Sequence, residues 1–519
     1  MITDDQGYGD LSIHGNPHLE TPNMDAIARQ GVQFTQFQVC PVCSPTRSSL
    51  LTGRYNYRTG VVDTFLGRSM MYPDEVTLAE LLRGAGYRTG IFGKWHLGDN
   101  YPMRPTEQGF EETLTHKGGG IGQPSDPPGG SSYFDPVLQR NGRPFKAGGY
   151  VTDVFFSAAL NFIEASRNRP FFTYVATNAP HEPLQVADSL VEPFLKKGLP
   201  ERTAKVYGMV KNIDDNIGRL LAHLKRLGIE QNTIVIFLTD NGPQHDRFNA
   251  GLRGRKGTVY QGGIRVPFFL RWPAAVAPGG QVGRIAAHID VLPTLAEACG
   301  VPLPAGHQLD GRSLLTLLKG QGAAWPDRTL FTQWHRGDVP ELFRACAART
   351  QRYKLIDGKQ LYDLDQDPAE SRDIAGDQPD VVSRLRRETE AWYKDVSSTR
   401  GYDPPRIWLG AVQENPSVLT RQDWRGPNSA WTKDSFGYWE VDVRAAGRYE
   451  ITLRFDAAAD KGEARLKIGK TGAKQPVEKG TAEVRFDSLD LAGGPARLEP
   501  TLHHGSATLG VLYAEVKRL

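Results

Sequence analysis

The chain predicts an α/β protein: a large mixed sheet covered by helices on both faces, then a small α+β subdomain with an antiparallel sheet, then an appended all-β sandwich. Three observations carry this. Over the first three hundred residues, short apolar runs alternate with amphipathic helical stretches, the pattern of a sheet between two helix layers. From 320 to 400 the apolar runs become short and closely spaced, as in antiparallel strands. After a Gly/Pro-rich link, "GYDPPR" (401–406), hydrophobicity alternates with a period of two. The three units are placed at 1–320, 321–400 and 407–519.

In the first unit "GYRTGIFG" (86–93), "PFFTYVATN" (170–178) and "NTIVIFLTD" (232–240) stand out as strands, and helices are predicted at 77–85, 151–166, 203–227 and 288–299. In the second, "RTLFTQW", "FRACAART", "YKLI" and "QLYDL" read as antiparallel strands, closed by an amphipathic helix over 379–396. In the third, "YWEVDVRAAGRYEITLRF", "ARLKIG", "AEVRFDSLDL" and "TLGVLYAEVKRL" are the sandwich strands.

The bulk numbers narrow the function. A length of 519 residues gives two to four domains with an ample core. Basic and acidic residues nearly balance, 62 against 59, so nothing marks a nucleic-acid partner. The 56 glycines and 35 prolines fit a loop-rich enzyme rather than a helical bundle. No apolar run reaches membrane-spanning length, and no apolar signal region follows Met1. Four cysteines make no disulfide framework and leave the redox compartment open.

Two of those cysteines lie in "CPVCSPTRSSLLTG" (40–53). The spacing admits a redox pair or half of a zinc site, but Cys299 and Cys346 stand alone and offer zinc no second pair. Ser44 is a good N-cap, Pro45 fits the first helical position and Gly53 a stop, so 45–52 is predicted as a short helix with Cys43 just ahead of it. That helix end suits an anion, and the Arg47 guanidinium reaches back toward residue 43. A free thiol there, with Arg47 and a dication nearby, is expected to be an acidic and reactive thiolate. A capped surface helix after a buried cysteine explains the same residues.

Polar residues also gather where ligands collect in open α/β sheets, just past the carboxyl ends of strands. "TIVIFL" ends in Thr239-Asp240-Asn241-Gly242; "FFTYVAT" runs into Asn178-Ala179-Pro180-His181; "TGIF" runs into Gly93-Lys94-Trp95-His96; the chain itself opens Met1-Ile2-Thr3-Asp4-Asp5. Each has a plain reading as an acidic turn, a capping histidine or a solvated lysine. Together Asp4, Asp5, Asp240 and the Asn241 carbonyl form a hard oxygen set suited to Ca²⁺ or Mg²⁺. Arg47, Lys94 and Lys256 add positive charge, and His96 and His181 are proton-transfer candidates. An oxygen-bound dication, cations and two imidazoles describe sulfuryl or phosphoryl transfer.

These residues resemble the type I, formylglycine-dependent sulfatases of the alkaline-phosphatase-like superfamily. The signature Cys-x-Pro-x-Arg, then two apolar residues and Thr-Gly, is matched by Cys43-Ser44-Pro45-Thr46-Arg47 and Leu50-Leu51-Thr52-Gly53. "GYRTGIFGKWHLG" (86–98) is similar to the second signature, and "DDQGYGD", "APHEP", "LTDNG", "GRKGTVYQGGIRVP" and "LYDLDQDPAE" follow in family order, so the resemblance spans roughly 1–395.

The resemblance implies conversion of Cys43 to formylglycine by a maturation enzyme. The aldehyde hydrate attacks sulfur, the alcohol departs, and loss of a proton from the second hydroxyl expels sulfate. It implies Ca²⁺ held by Asp4, Asp5, Asp240, Asn241 and residue 43, with Arg47 on the hydrate and Lys94 and Lys256 on sulfate oxygens. It gives His96 to breakdown of the intermediate and His181, with Lys256, to protonation of the leaving oxygen. Cys40 becomes an ordinary buried thiol. The substrate implied is a sulfated saccharide or small aryl sulfate, with no nucleic acid and no membrane partner, in the periplasm or outside the cell.

Two departures stand out. Gln261 occupies a position where many relatives carry Glu. An apolar strand usually precedes the Asp-Asp pair, whereas here only Met1-Ile2-Thr3 does, so the first strand reads as truncated and Asp4 and Asp5 as poorly anchored. Rival readings are a phosphodiesterase or phosphonate monoester hydrolase of the same superfamily, and a non-catalytic carbohydrate-binding protein. In the sandwich, Trp408, Trp424, Trp431 and Trp439 are either core or a sugar-stacking face. Every proposed catalytic residue precedes 260, so a chain ending near Arg400 is expected to keep activity on a small aryl sulfate.

Overall fold

Four short strands and one helix place nearly all of the candidate residues: β1 (Ile2–Thr3), β2 (Arg88–Lys94), β3 (Phe171–Ala176), β4 (Val235–Thr239) and α1 (Cys43–Thr52). They come from a computed structural model that describes residues 1–304, 306–322, 325–458 and 460–519. The strands lie side by side in the order β4-β1-β3-β2 in the middle of a ten-stranded sheet, and all four run parallel. Glu112–His116 continues the parallel run beyond β2, whereas Phe268–Arg271 joins β4 antiparallel, giving a mixed sheet.

Burial on both faces explains why these strands read as unbroken apolar runs rather than alternating ones. Phe92, Val175 and Phe237 face helices Val151–Ser166 and Glu201–Arg226, in one core with Phe155, Ile163 and Val210. Ile91, Tyr174 and Leu238 face the other way, against Leu50 and Leu51 of α1. The helix expected at 151–166 is found there; that at 203–227 is Glu201–Arg226, and 288–299 divides into a 3₁₀ turn and Val291–Ala298. Leu78–Gly84 starts in a capping box made by Thr77 and Glu80. Pro22–Arg29 and Asp188–Lys196 escaped the sequence reading.

The first strand is two residues long and still anchors its carboxylates. The Leu238 amide donates to Met1 O at 3.2 Å and that of Thr177 to Ile2 O at 3.0 Å. The Asp240 amide donates to Thr3 O at 3.1 Å and that of Asp4 to Ala179 O at 3.2 Å. Bonded on both sides, with Ile2 fully buried, β1 fixes the backbone of Asp4. The expectation of poor anchoring is not met.

Strands Leu330–Gln333, Cys346–Arg349, Tyr353–Ile356 and Gln360–Asp363 pair antiparallel in sequence order, with Leu385 of helix Pro379–Ser397 against Leu355 and Leu361. From Ile407 onward the strands form two facing sheets, of six and four strands. Trp424 and Trp439 are fully buried in the core between them. Trp431 packs on Phe65 and Trp408 on Tyr101, ring centroids 5.1 and 5.4 Å apart. Trp424 and Trp439 are thus core residues, and the sugar-stacking reading fails for these two; Trp408 and Trp431 are half-buried.

Candidate active site

Helix α1 begins at Cys43 itself, with Val42 as the extended residue before it and no side-chain cap. The Ser44 cap predicted from sequence is absent, and Ser44 Oγ has no hydrogen-bond partner among the described residues. With Cys43, Ser44 and Pro45 as the first three helical residues, proline falls where an amide donor is not used within the helix. Residue 43 thereby sits in the helix's first turn, beside Arg47 one turn on.

The carboxyl ends of β1, β2, β3 and β4 deliver the rest. The Cys43 sulfur and carboxylate oxygens of Asp4 and Asp240 lie within 4.8 Å of one another, as do single atoms of Asp4, Asp5 and His181. Arg47 donates to Asp240 Oδ2 from Nε (3.2 Å) and Nη2 (2.8 Å), and to the Lys94 carbonyl from Nη1 (3.2 Å). Lys94 Nζ donates to Asp4 Oδ2 at 2.5 Å, and Lys256 Nζ lies 2.7 Å from Asp5 Oδ1. Asn241 Nδ2 donates to the same Asp5 oxygen at 2.8 Å, which turns Asn241 Oδ1 the other way. Gly93 must be glycine, since a Cβ there would come within 1.8 Å of Ala176 O.

Three buried oxygens are left over: Asp4 Oδ1, Asp5 Oδ2 and Asn241 Oδ1 have no hydrogen-bond partner among the described residues. Such groups are expensive to bury alone, so this donor set fits a hard cation. Burial pulls the Asp5 carboxyl upward, but Lys256 and His181 hold it well below the usual carboxylate range. Burial and the nearby Asp4 push Asp240 up to about 6, against the pull of Arg47 and Lys94.

Burial raises the Cys43 pKa and outweighs the lowering by Lys94 and Lys256, which Asp4 and Asp240 oppose, so the protein's own charges do not make the encoded thiol acidic. Cys40 is the plain buried thiol expected, 3.6 Å from Asn56 Oδ1 and 3.4 Å from His288 Nε2. All four cysteines are free.

His96 and His181 close the site from the other side. His96 Nε2 is 2.7 Å from the Thr64 carbonyl, an acceptor only, so Nε2 carries the proton and the buried Nδ1 is bare. His181 Nδ1 meets the Glu182 carbonyl at 2.5 Å, and Nε2 stands 3.9 Å from Asp5 Oδ2. Burial, then Lys94, pushes His96 well below the imidazole range; burial outweighs Asp5 to bring His181 down to about 4.

All the predicted site residues come together, and several more join them. A Cβ on Gly119 would strike the His96 ring at 2.7 Å, and one on Gly120 would lie 3.1 Å from His181 Nδ1. Gln123 lies against the same two glycines, with Oε1 buried and unpartnered among the described residues. Asn178 is fully buried, and neither end of its side-chain amide has a partner among the described residues. Gln261 forms no ion pair; its amide donates to Glu370 Oε2 at 2.7 Å, and Glu370 takes Lys354 as its partner at 2.7 Å. No local pattern in the sequence marks Gln123 as a site residue, whereas Asn178 falls just past the end of β3.

An aligned set of carboxylates, cations and imidazoles on the carboxyl edge of this mixed sheet defines a hydrolase of the alkaline-phosphatase-like fold. Comparison narrows it: residues 1–301 match the Sulfatase family model, and 254–394 match the model for the C-terminal part of N-sulphoglucosamine sulphohydrolase. The chain belongs to the sulfatase family and is a sulfatase. It is 32% identical to human arylsulfatase A over 444 residues, 78% of this chain and 84% of that protein. With mouse N-acetylgalactosamine-6-sulfatase it shares 34% over 374 residues, 65% of this chain and 68% of that one. Among solved structures, Ps i-CgsB in complex with k-i-k-neocarrahexaose superposes with a TM-score of 0.70 at 27% identity, covering 77% of this chain and 93% of its own. The phosphonate monoester hydrolase of Agrobacterium radiobacter, at 23% identity and a TM-score of 0.54, shares the fold.

Proposed function

We propose that this sulfatase hydrolyses sulfate monoesters of saccharides, and aryl sulfates as small surrogates, using formylglycine made from Cys43 and one Ca²⁺. The ion's ligands are Asp4, Asp5, Asp240, Asn241 and residue 43. The single observation that carries the reading is the buried oxygens on Asp4, Asp5 and Asn241 that have no partner among the described residues, with Asp4 clustered both with Cys43 and Asp240 and with Asp5 and His181. Hard oxygens without a second thiol or an imidazole pair favour Ca²⁺ over zinc. When present, the ion supplies Lewis-acid polarisation and the aldehyde hydrate supplies the nucleophile.

The chain's own residues do the rest. Lys94 and Lys256 put fixed positive charge at Asp4 and Asp5, where an anionic sulfate group would bind. Arg47 braces Asp240 and the end of β2 and keeps the carboxylate frame rigid. His96 presents its bare Nδ1 as a proton acceptor. His181 holds its own proton on Nδ1 against the Glu182 carbonyl, so it must first take up a proton at Nε2 before it can serve, with Lys256, the departing alcohol oxygen.

A cavity of about 580 Å³ opens beside His181, lined by Gln123, Glu182, Glu201, Arg202 and Lys205. Ile121, Pro183 and Leu184 complete the lining, so the cavity offers charged and apolar surface together, as a sugar ring presents hydroxyl groups and an apolar face. The Ps i-CgsB complex, named for a neocarrahexaose, adds weight to a saccharide. A maturation enzyme acting on Cys43 and an extracytoplasmic location belong to the same reading, as does the division into 1–320, 321–400 and 407–519. Sulfate release from defined sulfated saccharides, run beside an aryl sulfate and an aryl phosphodiester, tests it. Faster turnover of the phosphodiester would replace it with the phosphodiesterase reading.

A further inference from the structure

The sandwich reaches the catalytic centre. Leu66, Met70 and Met103 are buried in the core that fills it, and its residues 421–425 lie along the 63–70 segment. Gln422, 2% exposed, donates from Nε2 to the Thr64 carbonyl and to Ser69 Oγ, both at 3.0 Å, while its own carbonyl accepts from the Gly67 amide at 3.0 Å. Thr64 O accepts only, so the donating end of the Gln422 amide is fixed. The same carbonyl takes the proton of His96 Nε2 at 2.7 Å. One oxygen therefore carries both bonds, one from the sandwich and one from a histidine of the active site.

His96 needs such support. Its backbone sits at φ 60°, in the left-handed region that non-glycine residues seldom adopt. Its Nδ1 has no partner among the described residues, so the Thr64 bond is the polar contact that sets the ring's tautomer and direction. A carbonyl held by a second donor from the 3₁₀ turn Arg421–Asp423 is restrained from swinging away with its loop.

We propose that the sandwich is part of the catalytic unit, with Gln422 a positioning residue that fixes His96 through the Thr64 carbonyl. This rests on His96 acting in the reacting centre. The test is steady-state kinetics of the full chain on an aryl sulfate. Gln422→Met fills the same space without the donor and Gln422→Glu keeps the shape with an acceptor in its place. Both should lower kcat about tenfold, the worth of one well-placed hydrogen bond, with KM changed less than about twofold. Arg425→Met is the interface control. It removes the bond from Arg425 Nη1 to Leu66 O and the ion pair with Asp338, neither of which leads to His96. It should lower Tm and leave kcat intact. His96→Ala separates the premises. If it retains kcat, the role of His96 is wrong; if it is inactive while both Gln422 variants keep wild-type kcat, only the positioning role falls. Equal kcat losses in Arg425→Met and the Gln422 variants would also overturn it, as a general packing effect.

Discussion

Arg47 and Asp240, 193 positions apart in the chain, meet with both side chains fully buried and two guanidinium nitrogens on one carboxylate oxygen. The pair ties the second turn of α1 to the end of β4, so the helix that carries residue 43 is registered on the carboxylates proposed to hold the metal. Asp240→Ala should therefore lose bound metal and all measurable turnover. It should also destabilise the protein by about 3–5 kcal/mol, because the Arg47 charge is left buried without its main partner. Elemental analysis should find Ca²⁺ in the active wild type and none in the variant. Stoichiometric zinc in active protein would contradict the assignment.

His181 should matter in proportion to the difficulty of the leaving group. A nitrophenolate departs without help, whereas a sugar alkoxide needs a proton. His181→Ala should cost roughly 10²–10⁴ in kcat on a saccharide sulfate and far less on 4-nitrophenyl sulfate. Equal losses on the two would remove His181 from the role of acid.

Removing the sandwich should abolish activity even on small substrates. A chain ending near Arg400 strips the buried Leu66, Met70 and Met103 of their core and takes the Gln422 bond from Thr64. This reverses the expectation drawn from the order of catalytic residues along the chain. Sulfate release from an aryl sulfate by the purified shorter chain is the measurement, and wild-type rates would show the sandwich to be dispensable.

His288 should make stability depend on pH in the mildly acidic range. Burial pushes its pKa from the ordinary 6.5 down to about 3, so the folded protein holds it neutral while the unfolded chain protonates. The unfolded state thus binds more protons below pH 6.5, and the free energy of unfolding must fall as pH drops from there toward 3. Denaturant melts at pH 7 and pH 4.5 should show a smaller loss for His288→Gln than for wild type. Parallel losses would mean that His288 titrates normally.

The site was legible because its residues are local to strand ends and short motifs. Asp240-Asn241, Lys94, His96 and His181 each follow an apolar run, and spacing alone puts them on one edge of one sheet. The start of α1 differs from the sequence expectation because Ser-Pro is an equally good signal two residues later. Tertiary packing decided for Val42 as the extended residue before the helix. The two-residue β1 defeated strand reasoning by length, yet four ladder bonds from β3, β4 and the segments just beyond them hold it. Gln422, Gln123 and Glu370 were invisible because their roles come from contacts across long stretches of chain. The Gln422–Thr64 bond spans 358 positions, and no local pattern encodes it. Trp424 and Trp439 show the converse: composition allowed a sugar platform, and packing assigned these two to the core.

The claim at the centre of this account is that residue 43 is an aldehyde in the working enzyme. As encoded it is a buried thiol whose pKa is raised, a poor nucleophile where the site geometry calls for the best one. Mass spectrometry of the peptide spanning Cys40 and Cys43, taken from active protein, is the direct test. The account predicts a mass lower by the change from CH₂SH to CHO, reaction of residue 43 with a hydrazide, and ordinary alkylation of Cys40 on the same peptide. Fully active protein carrying two alkylatable thiols there would contradict it.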